Sequence, residues 1–233
     1  NCTRRARSRL SSSTQKKVKK MAGFFISFEG IDKSGKSTQA EKLVAHLREN
    51  GKDVVFTHEP GATELGREIR HLALDWEPRD GGDVDARAEM FLFAADRAQH
   101  VNELIRPSLK ADKVVITDRY VVSTMAYQGY GRGLDLGELK DVQDLATGGL
   151  LPDMTVWVDV DLQTARDRGW GQDADRMESA SDAVFQRVRE GFAALCKSEP
   201  NRIVRIDGTQ SVERVWKDVK TAVRARLDGG TLG

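Results

Sequence analysis

The chain has 233 residues, of which 39% are hydrophobic and 31% charged, and its formal net charge is +1. Two cysteines argue against a disulfide framework, and no apolar run approaches the roughly 20 residues that a bilayer span needs. The composition is that of an ordinary water-soluble core and surface and excludes a membrane-spanning class, and we expect one large α/β domain in a cytoplasmic protein.

Residues 1–20 differ from the rest of the chain. They contain eight basic side chains, no acidic one and several serines. This composition predicts a disordered segment. We favour a non-native extension upstream of a natural start at Met21, and a transit peptide or a nucleic-acid-binding arm are the alternatives.

The first predicted strand, Phe24–Phe28, is followed by a phosphate-binding loop signature, G-x-x-x-x-G-K-S, at residues 30–37. A helical pattern runs from Ser37 to Asn50, so the motif lies between a strand and a helix as its chemistry requires. The alternative is a glycine-containing turn that caps a helix. The predicted ATP-binding residues are Gly30, Ile31, Asp32, Lys33, Ser34, Gly35, Lys36, Ser37 and Thr38.

The chemistry of this loop depends on its backbone and on two side chains. Glycines let the backbone approach phosphates closely, and the loop N–H groups face the polyanion together with the start of the helix. Lys36 would place a positive charge at the β- and γ-phosphates, and the Ser37 hydroxyl suits Mg²⁺. The loop therefore predicts a nucleoside triphosphate site with Mg²⁺ as cofactor.

Four more predicted strands alternate with amphipathic helices. Each strand is short and apolar at consecutive positions, which is typical of strands buried on both faces of a parallel sheet. We predict an α/β, three-layer fold of the P-loop NTPase type, with five parallel strands and helices on both faces, in one domain at 21–233. The strands are Val54–Thr57, Val114–Thr117, Thr155–Val160 and Ile203–Ile206; helices lie near Ala88–Ile105, Leu136–Thr147, Ala183–Leu195 and Val212–Leu227.

Polar residues follow two of these strands, at the sheet edge where ligands of parallel sheets bind. Asp118, after the third strand, predicts a contact to Mg²⁺ or its waters, and Arg119 beside it can hold a phosphate with two N–H groups. An ion pair that closes the strand is the alternative. After the second strand, Arg70 lies in a helix expected from Thr63 onward, as a contact for a second anion or as a solvated charge.

Together, these motifs resemble the thymidylate kinase family, whose members phosphorylate dTMP to dTDP. The resemblance spans about Met21 to Asp218, and the Asp-Arg-Tyr and Ala-Tyr-Gln-Gly stretches make it specific. The matching motifs lie at 28–39, 57–61, 94–99, 118–120, 126–129, 151–153 and 175–178.

The resemblance implies a role for each matching side chain at the acceptor nucleotide. It implies that Asp32 accepts a hydrogen bond from the deoxyribose 3′-OH, that Phe93 stacks on thymine, and that Arg97 reaches a base carbonyl. Arg70 and Arg119 match the pair that grips the dTMP phosphate. The implied dTMP-binding residues are Asp32, Glu59, Arg70, Phe93, Arg97, Arg119, Thr124, Tyr127 and Gln128.

Three of these residues match more specific contacts of the family. Thr124 and Gln128 match contacts to the base edge, and Tyr127 lies where the family crowds the sugar 2′ position and so excludes ribonucleotides. Without the resemblance, core positions would be the favoured interpretation of both Phe93 and Tyr127.

Residues at about 162–180 resemble the lid of the family, because they are polar and rich in glycine and arginine. Arg168 is our first choice for the arginine that stabilises the transferring phosphoryl group, Arg166 is the second, and Lys33 would assist. The predicted catalytic residues are Lys36, Arg119, Arg168, Arg166 and Lys33, and the predicted metal-binding residues are Ser37 and Asp118.

The sequence departs from the family pattern at four places. Lys33 occupies a slot that holds arginine or glycine in the family, and lysine lacks the two-pronged geometry of arginine. His58 stands where arginine is common, Ala62 where glycine is common, and the lid around Trp170 is longer than usual. These departures bear on which lid residue acts, not on the activity.

We therefore expect direct in-line transfer of the γ-phosphoryl group from Mg²⁺-ATP to dTMP in a homodimer, with no membrane or nucleic-acid partner. Two alternatives remain open. One is another P-loop nucleotide or nucleoside kinase, and the other is a non-catalytic nucleotide-binding protein whose basic tail contacts a partner. A panel of phosphoryl acceptors distinguishes dTMP phosphorylation from the activity of another kinase. Release of ADP on addition of dTMP distinguishes an enzyme from a non-catalytic nucleotide-binding protein.

Overall fold

The computed structural model describes residues 23–76, 84–170, 181–227 and 229. The predicted basic tail, Cys2, the lid residues 171–180 and the motif at 175–178 lie outside the described residues. Within the described ranges, no helix is both long and apolar enough to cross a membrane.

Five parallel strands form one sheet in the order β2-β3-β1-β4-β5. The predicted α/β fold is confirmed, although β4 begins and ends one residue earlier than expected. The central strands β1, β3 and β4 are buried almost throughout, whereas the edge strands β2 and β5 are partly exposed, so the expectation of full burial is wrong for the two edges. The strands are β1 (Phe24–Glu29), β2 (Val54–His58), β3 (Val114–Asp118), β4 (Met154–Asp159) and β5 (Ile203–Asp207).

The helices cover both faces of the sheet. Two predicted helices, α6 and α9, are confirmed residue by residue, while the helix predicted at Ala88–Ile105 is α3 and a π-helical turn that leads into α4. Three π-helical stretches span His71–Asp75, Val101–Ile105 and Met125–Gly131. The helices are α1 (Lys36–Glu49), α2 (Glu64–Arg70), α3 (Ala86–His100), α4 (Arg106–Lys110), α5 (Val121–Thr124), α6 (Leu136–Thr147), α7 (Leu162–Asp167), α8 (Asp182–Ser198) and α9 (Val212–Leu227).

Alternation along β1 divides the core between the two faces. Ile26 and Phe28 pack with apolar residues of α1 and α9, whereas Phe25, which precedes Ile26, packs with Ile105 and Leu109 on the other face. The register pairs Phe28 with Asp118, so the loops after β1 and β3 begin at the same level of the sheet. The sheet thereby brings the residues after β1, β2 and β3 to one edge.

Candidate active site

The phosphate loop connects β1 to α1 and depends on backbone conformations that favour glycine. Gly30 has φ 142° and Gly35 has φ 92°. A Cβ at Gly30 would lie 2.5 Å from the Val158 carbonyl oxygen, so no other residue fits without displacing the backbone. Helix α1 begins at Lys36 without a side-chain cap, which leaves its first-turn N–H groups for an anionic ligand.

Lys36 and Ser37 meet the end of β3. The Lys36 Nζ atom lies 3.2 Å from Oδ1 of Asp32 and 3.9 Å from Oδ1 of Asp118. The Ser37 hydroxyl donates a hydrogen bond to Oδ2 of Asp118. The predicted pair of metal-binding oxygens is therefore assembled beside the cation of the phosphate loop.

Arg119 connects the phosphate loop to α5. Its backbone has φ 71°, and its N–H donates to the Phe28 carbonyl at 2.8 Å. The guanidinium contacts Oδ1 of Asp32 at 2.6 Å, and its Nη1 donates to the Gly30 carbonyl and to Oγ of Ser123, both at 3.1 Å. These contacts hold the predicted phosphate-binding arginine in place before any ligand binds.

The same charges set the ionisation of nearby acids. Burial acts to raise the pKa of Asp32, but Arg119 and Lys36 together hold it well below its ordinary value, so Asp32 is a carboxylate at neutral pH. Burial raises the pKa of Glu29 to about 7, although the Ser123 hydroxyl donates to its Oε2 at 2.5 Å. Burial and the neighbouring Arg70 lower the pKa of His58, which is therefore neutral at pH 7.

One cavity of about 350 Å³ brings both groups of predicted residues together. Lys36, Ser37 and Asp118 line it on the side of the phosphate loop. All nine residues predicted to bind dTMP line the same cavity: Asp32, Glu59, Arg70, Phe93, Arg97, Arg119, Thr124, Tyr127 and Gln128. A cavity of this volume matches a small-molecule site.

A buried ionic network forms the wall of this cavity near the residues predicted to read the base. Glu59 Oε2 accepts from Nε of Arg97 at 2.8 Å and lies 2.7 Å from its Nη2. Oε1 of Glu59 lies 2.8 Å from Nδ1 of His100, whose Nε2 lies 2.7 Å from Oγ1 of Thr57. Burial acts to raise the pKa of Glu59, yet Arg97 and His100 lower it overall. Oε2 of Glu59 thus orients Arg97 while Oε1 contacts His100, and the Glu59–Pro60 peptide bond is cis.

Sequence reasoning missed several partners of the predicted residues. Glu89 accepts from Nε2 of Gln128 at 2.8 Å, and Gln143 accepts from Nη1 of Arg97. Glu89, Asp96 and His100 are buried along with Arg97 in the amphipathic helix α3. The available signal was a set of polar residues at helical spacing on the face that carries Phe93 and Arg97.

Asp96 is one of these missed residues and carries an unsatisfied atom. Its Oδ1 accepts from the Gly61 N–H at 3.0 Å, whereas its buried Oδ2 has no hydrogen-bond partner among the described residues. Burial, followed by the nearby charge of Glu59, raises the pKa of Asp96 to about 6. The native state therefore holds this proton more tightly than the unfolded state does.

Replacing Asp96 by asparagine should remove a pH dependence of stability. A raised acid pKa stabilises the native state below the unfolded pKa of about 3.9, and this contribution is lost as the pH rises through about 6. We expect the unfolding free energy of the natural chain, relative to Asp96→Asn, to fall by on the order of 2 kcal/mol between pH 4 and pH 7. Urea unfolding at each pH measures this difference, and a difference that stays constant with pH would contradict the assignment.

A second cavity of about 300 Å³ lies on the other side of the phosphate loop. Lys33, Ser34, Gly35, Thr38 and Arg168 line it. Arg168 donates to the Ser34 carbonyl at 3.1 Å and to the Gly208 carbonyl at 2.7 Å, so the first-choice lid arginine touches the phosphate loop.

The side chains of two predicted residues are placed differently from those that line the two cavities. Arg166 pairs with Asp182, and its guanidinium lies 5.8 Å from the ring centre of Trp170; it lines neither cavity. The Ile31 side chain packs in the core, so its predicted ATP contact is left to its backbone.

Comparisons with known proteins agree with this geometry. A family model described as thymidylate kinase matches residues 28–219. A thymidylate kinase from Bifidobacterium longum (strain NCC 2705) is 48% identical over 206 residues, which cover 88% of this chain and 98% of that protein. A thymidylate kinase from Nostoc sp. (strain PCC 7120) is 43% identical over 209 residues, covering 89% of this chain and 98% of the relative.

A solved structure of a thymidylate kinase also matches the chain. The crystal structure of thymidylate kinase from Ehrlichia chaffeensis matches with a TM-score of 0.69 and 35% identity, covering 87% of this chain and 98% of the other. The predictions of a P-loop fold and of a kinase are confirmed. On these matches, over most of its length, the chain belongs to the thymidylate kinase family.

Proposed function

We propose that the chain transfers the γ-phosphoryl group of ATP to the phosphate of dTMP, giving dTDP and ADP. The observation that carries this proposal is the single cavity lined both by Lys36 and Ser37 of the phosphate loop and by Phe93 and Arg97. A donor phosphate at the loop and a pyrimidine nucleotide in the cavity would then lie next to each other. Membership of the thymidylate kinase family supports the same reaction.

The acceptor would bind through charge at one part of the cavity and through stacking at another. Arg70 and Arg119 would neutralise the phosphate of dTMP, and Asp32, held as a carboxylate, would accept from the sugar 3′-OH. Phe93 would stack on the base, and Arg97 would donate to a base oxygen. Tyr127 also lines the cavity, where it would crowd the 2′ position of a ribonucleotide.

The residues present fit Mg²⁺ as the cofactor. Asp118 Oδ1 is buried and accepts no hydrogen bond from the described residues, and Ser37 offers a second hard oxygen. Mg²⁺ in nucleotide sites is held by one or two protein oxygens together with phosphates and water. Asp118 and Ser37 would hold the ion, which when bound neutralises charge on the ATP phosphates.

The protein would accelerate transfer by positioning and by charge. The acceptor oxygen of dTMP is already anionic, so no general base is required. Lys36 and Arg119 would align the two phosphates in line, and the backbone N–H groups of the loop would hold the donor. Arg168, which touches the loop at Ser34, is placed to reach the transferring phosphoryl group, with Lys33 assisting.

An acceptor panel tests the proposal. ADP release would be measured with Mg²⁺-ATP and each of dTMP, dUMP, UMP, AMP and thymidine. We expect dTMP to give the highest kcat/KM and thymidine to give none. A preference for UMP, AMP or thymidine would assign the chain to another kinase of the same fold, and no ADP release with any acceptor would leave a nucleotide-binding protein.

We also propose that the protein is a cytoplasmic homodimer. Large apolar side chains are exposed on helices that pack side by side: Leu65 on α2, Phe91 on α3 and Leu145 on α6. The side chain of Leu145 is 85% exposed and that of Phe91 is 58% exposed. Exposed apolar groups on adjacent helices are typical of a protein–protein interface, and a second copy of the chain is the partner we propose.

Replacing Phe91 by aspartate should separate the copies. A charge in an apolar interface is costly to bury, so we expect the variant to be monomeric where the natural chain is dimeric. Sedimentation equilibrium measures the mass, and Leu151→Asp, at an exposed apolar residue before β4, is the control. A natural chain that sediments as a monomer would contradict the proposal.

A further inference from the structure

We propose that the buried carboxylate of Glu89 fixes the hydrogen-bonding polarity of the base-reading groups, so that the cavity accepts thymine and rejects cytosine. Glu89 would act through Gln128 and is therefore a positioning residue that determines specificity. The inference rests on the proposed function, since it concerns the acceptor base of the same site.

The side-chain amide of Gln128 can be oriented from its partner. Glu89 is fully buried, and its Oε1 lies 2.8 Å from the terminal nitrogen of Gln128. An ionised carboxylate only accepts hydrogen bonds, so the NH₂ of Gln128 must face Glu89. Arg132 donates to the other oxygen, Oε2, at 3.1 Å, which matches an ionised Glu89.

The orientation of Gln128 decides what the cavity offers to a ligand. With Nε2 bound to Glu89, the carbonyl oxygen is the remaining polar atom of the amide, and Gln128 lines the cavity. Gln128 therefore presents a hydrogen-bond acceptor. Rotation of the amide by 180° would place a carbonyl oxygen against a carboxylate, and Glu89 prevents it by leaving that oxygen without a donor.

Arg97 presents the opposite polarity nearby. A guanidinium has five N–H groups, and the structure uses four of them. Nε and one N–H of Nη2 contact Glu59, and the two of Nη1 donate to Thr124 and Gln143. Among the described residues, one N–H of Nη2 has no partner and is left for a ligand, so the cavity combines a donor from Arg97 with an acceptor from Gln128.

This pair matches one pyrimidine edge and opposes another. Thymine donates through N3–H and accepts at O4, whereas cytosine accepts at N3 and donates from its 4-amino group. With cytosine, the acceptor N3 would therefore face the acceptor of Gln128, and the 4-amino donor would face the donor of Arg97. Uracil has the same hydrogen-bonding edge as thymine, so the pair formed by Arg97 and Gln128 cannot discriminate dUMP from dTMP.

The Glu89→Gln variant should reverse the amide of Gln128. Arg132 still requires an acceptor, which holds the new amide with its oxygen toward Arg132 and its NH₂ toward Gln128. Gln128 would then accept from residue 89 and turn its own NH₂ into the cavity. The substitution keeps the size and shape of the side chain, so it isolates polarity from packing.

The experiment measures kcat/KM for dTMP, dCMP and dUMP with the full chain and Mg²⁺-ATP. For Glu89→Gln we expect the dTMP:dCMP ratio to fall by about tenfold or more, while the dTMP:dUMP ratio stays unchanged. Glu103→Gln is the matched control, because Glu103 accepts from the Gln99 amide at 2.6 Å on the exposed surface of the same helical stretch. It should keep both ratios.

A second variant keeps the inference testable if Glu89→Gln does not fold. Gln128→Met removes the acceptor while keeping the length of the side chain, and it should also lower the dTMP:dCMP ratio. An unchanged ratio in either folded variant overturns the inference while leaving the proposed function standing. A natural chain that does not phosphorylate dTMP would instead overturn the proposed function.

Discussion

Replacing Lys36 by alanine is expected to lower kcat by at least about 1,000-fold, because the ammonium group is the phosphate loop's charge at the β- and γ-phosphates. It also lies 3.2 Å from Asp32 and 3.9 Å from Asp118, so its loss leaves Asp32 with Arg119 as its cation and removes the neighbouring ammonium group from Asp118. Both effects disfavour the transition state, in which negative charge spreads over the transferring group.

Steady-state ADP release with saturating dTMP measures this loss, and circular dichroism shows whether the fold is kept. Lys42→Ala is the matched control, since Lys42 is in the same helix α1 and does not line the first or the second cavity. We expect it to keep near-natural activity. Turnover by Lys36→Ala within tenfold of the natural chain would contradict the proposed mechanism.

Replacing Arg97 by methionine is expected to lower the unfolding free energy by about 3–5 kcal/mol and to abolish measurable use of dTMP. The side chains of Arg97 and Glu59 are each 3% exposed, so removing the guanidinium leaves Glu59 as a buried charge whose one remaining side-chain partner among the described residues is His100. Arg97→Lys keeps the charge but loses the fork that reaches Glu59, Thr124 and Gln143 together. Its loss of stability should be smaller, with a raised KM for dTMP.

Urea unfolding measures the change in stability, and Arg87→Met in the same helix α3 is the control. Arg87 is 68% exposed and lies 3.8 Å from an exposed Glu138, so its substitution should change the unfolding free energy by less than about 1 kcal/mol. Equal losses for the two methionine variants would show that burial of the Arg97 pair does not decide stability.

The parts of the structure that repeat a local pattern were predictable. The phosphate loop was found because its glycine spacing is dictated by contact between backbone and phosphate, and α6 and α9 by their apolar periodicity. The end of β4 was misplaced because Val160 is apolar and 1% exposed, as a strand residue would be. The ladder nevertheless ends at the pairing of Asp159 with Asp207.

Short elements and buried polar partners were not predictable in the same way. Helix α5 has four residues and continues into a π-helical stretch, so no helical period can be recognised. Glu89 and Glu103 are both glutamates of one helical stretch that accept from a glutamine, yet one is fully buried and the other is exposed. Packing of distant segments makes that difference, and the sequence near each residue does not contain it.

Arg119 has a consequence for any attempt to redesign this enzyme. Its guanidinium contacts Gly30 and Asp32 on the phosphate loop and Ser123 on α5, so it is shared by the donor half and the acceptor half of the site. The segments that we propose to read the base, α3 and residues 121–131, are open to exchange for those of a kinase with another acceptor. Such a chimaera must retain Arg119 with all three partners, because the junction between the exchangeable and the fixed halves passes through that one side chain.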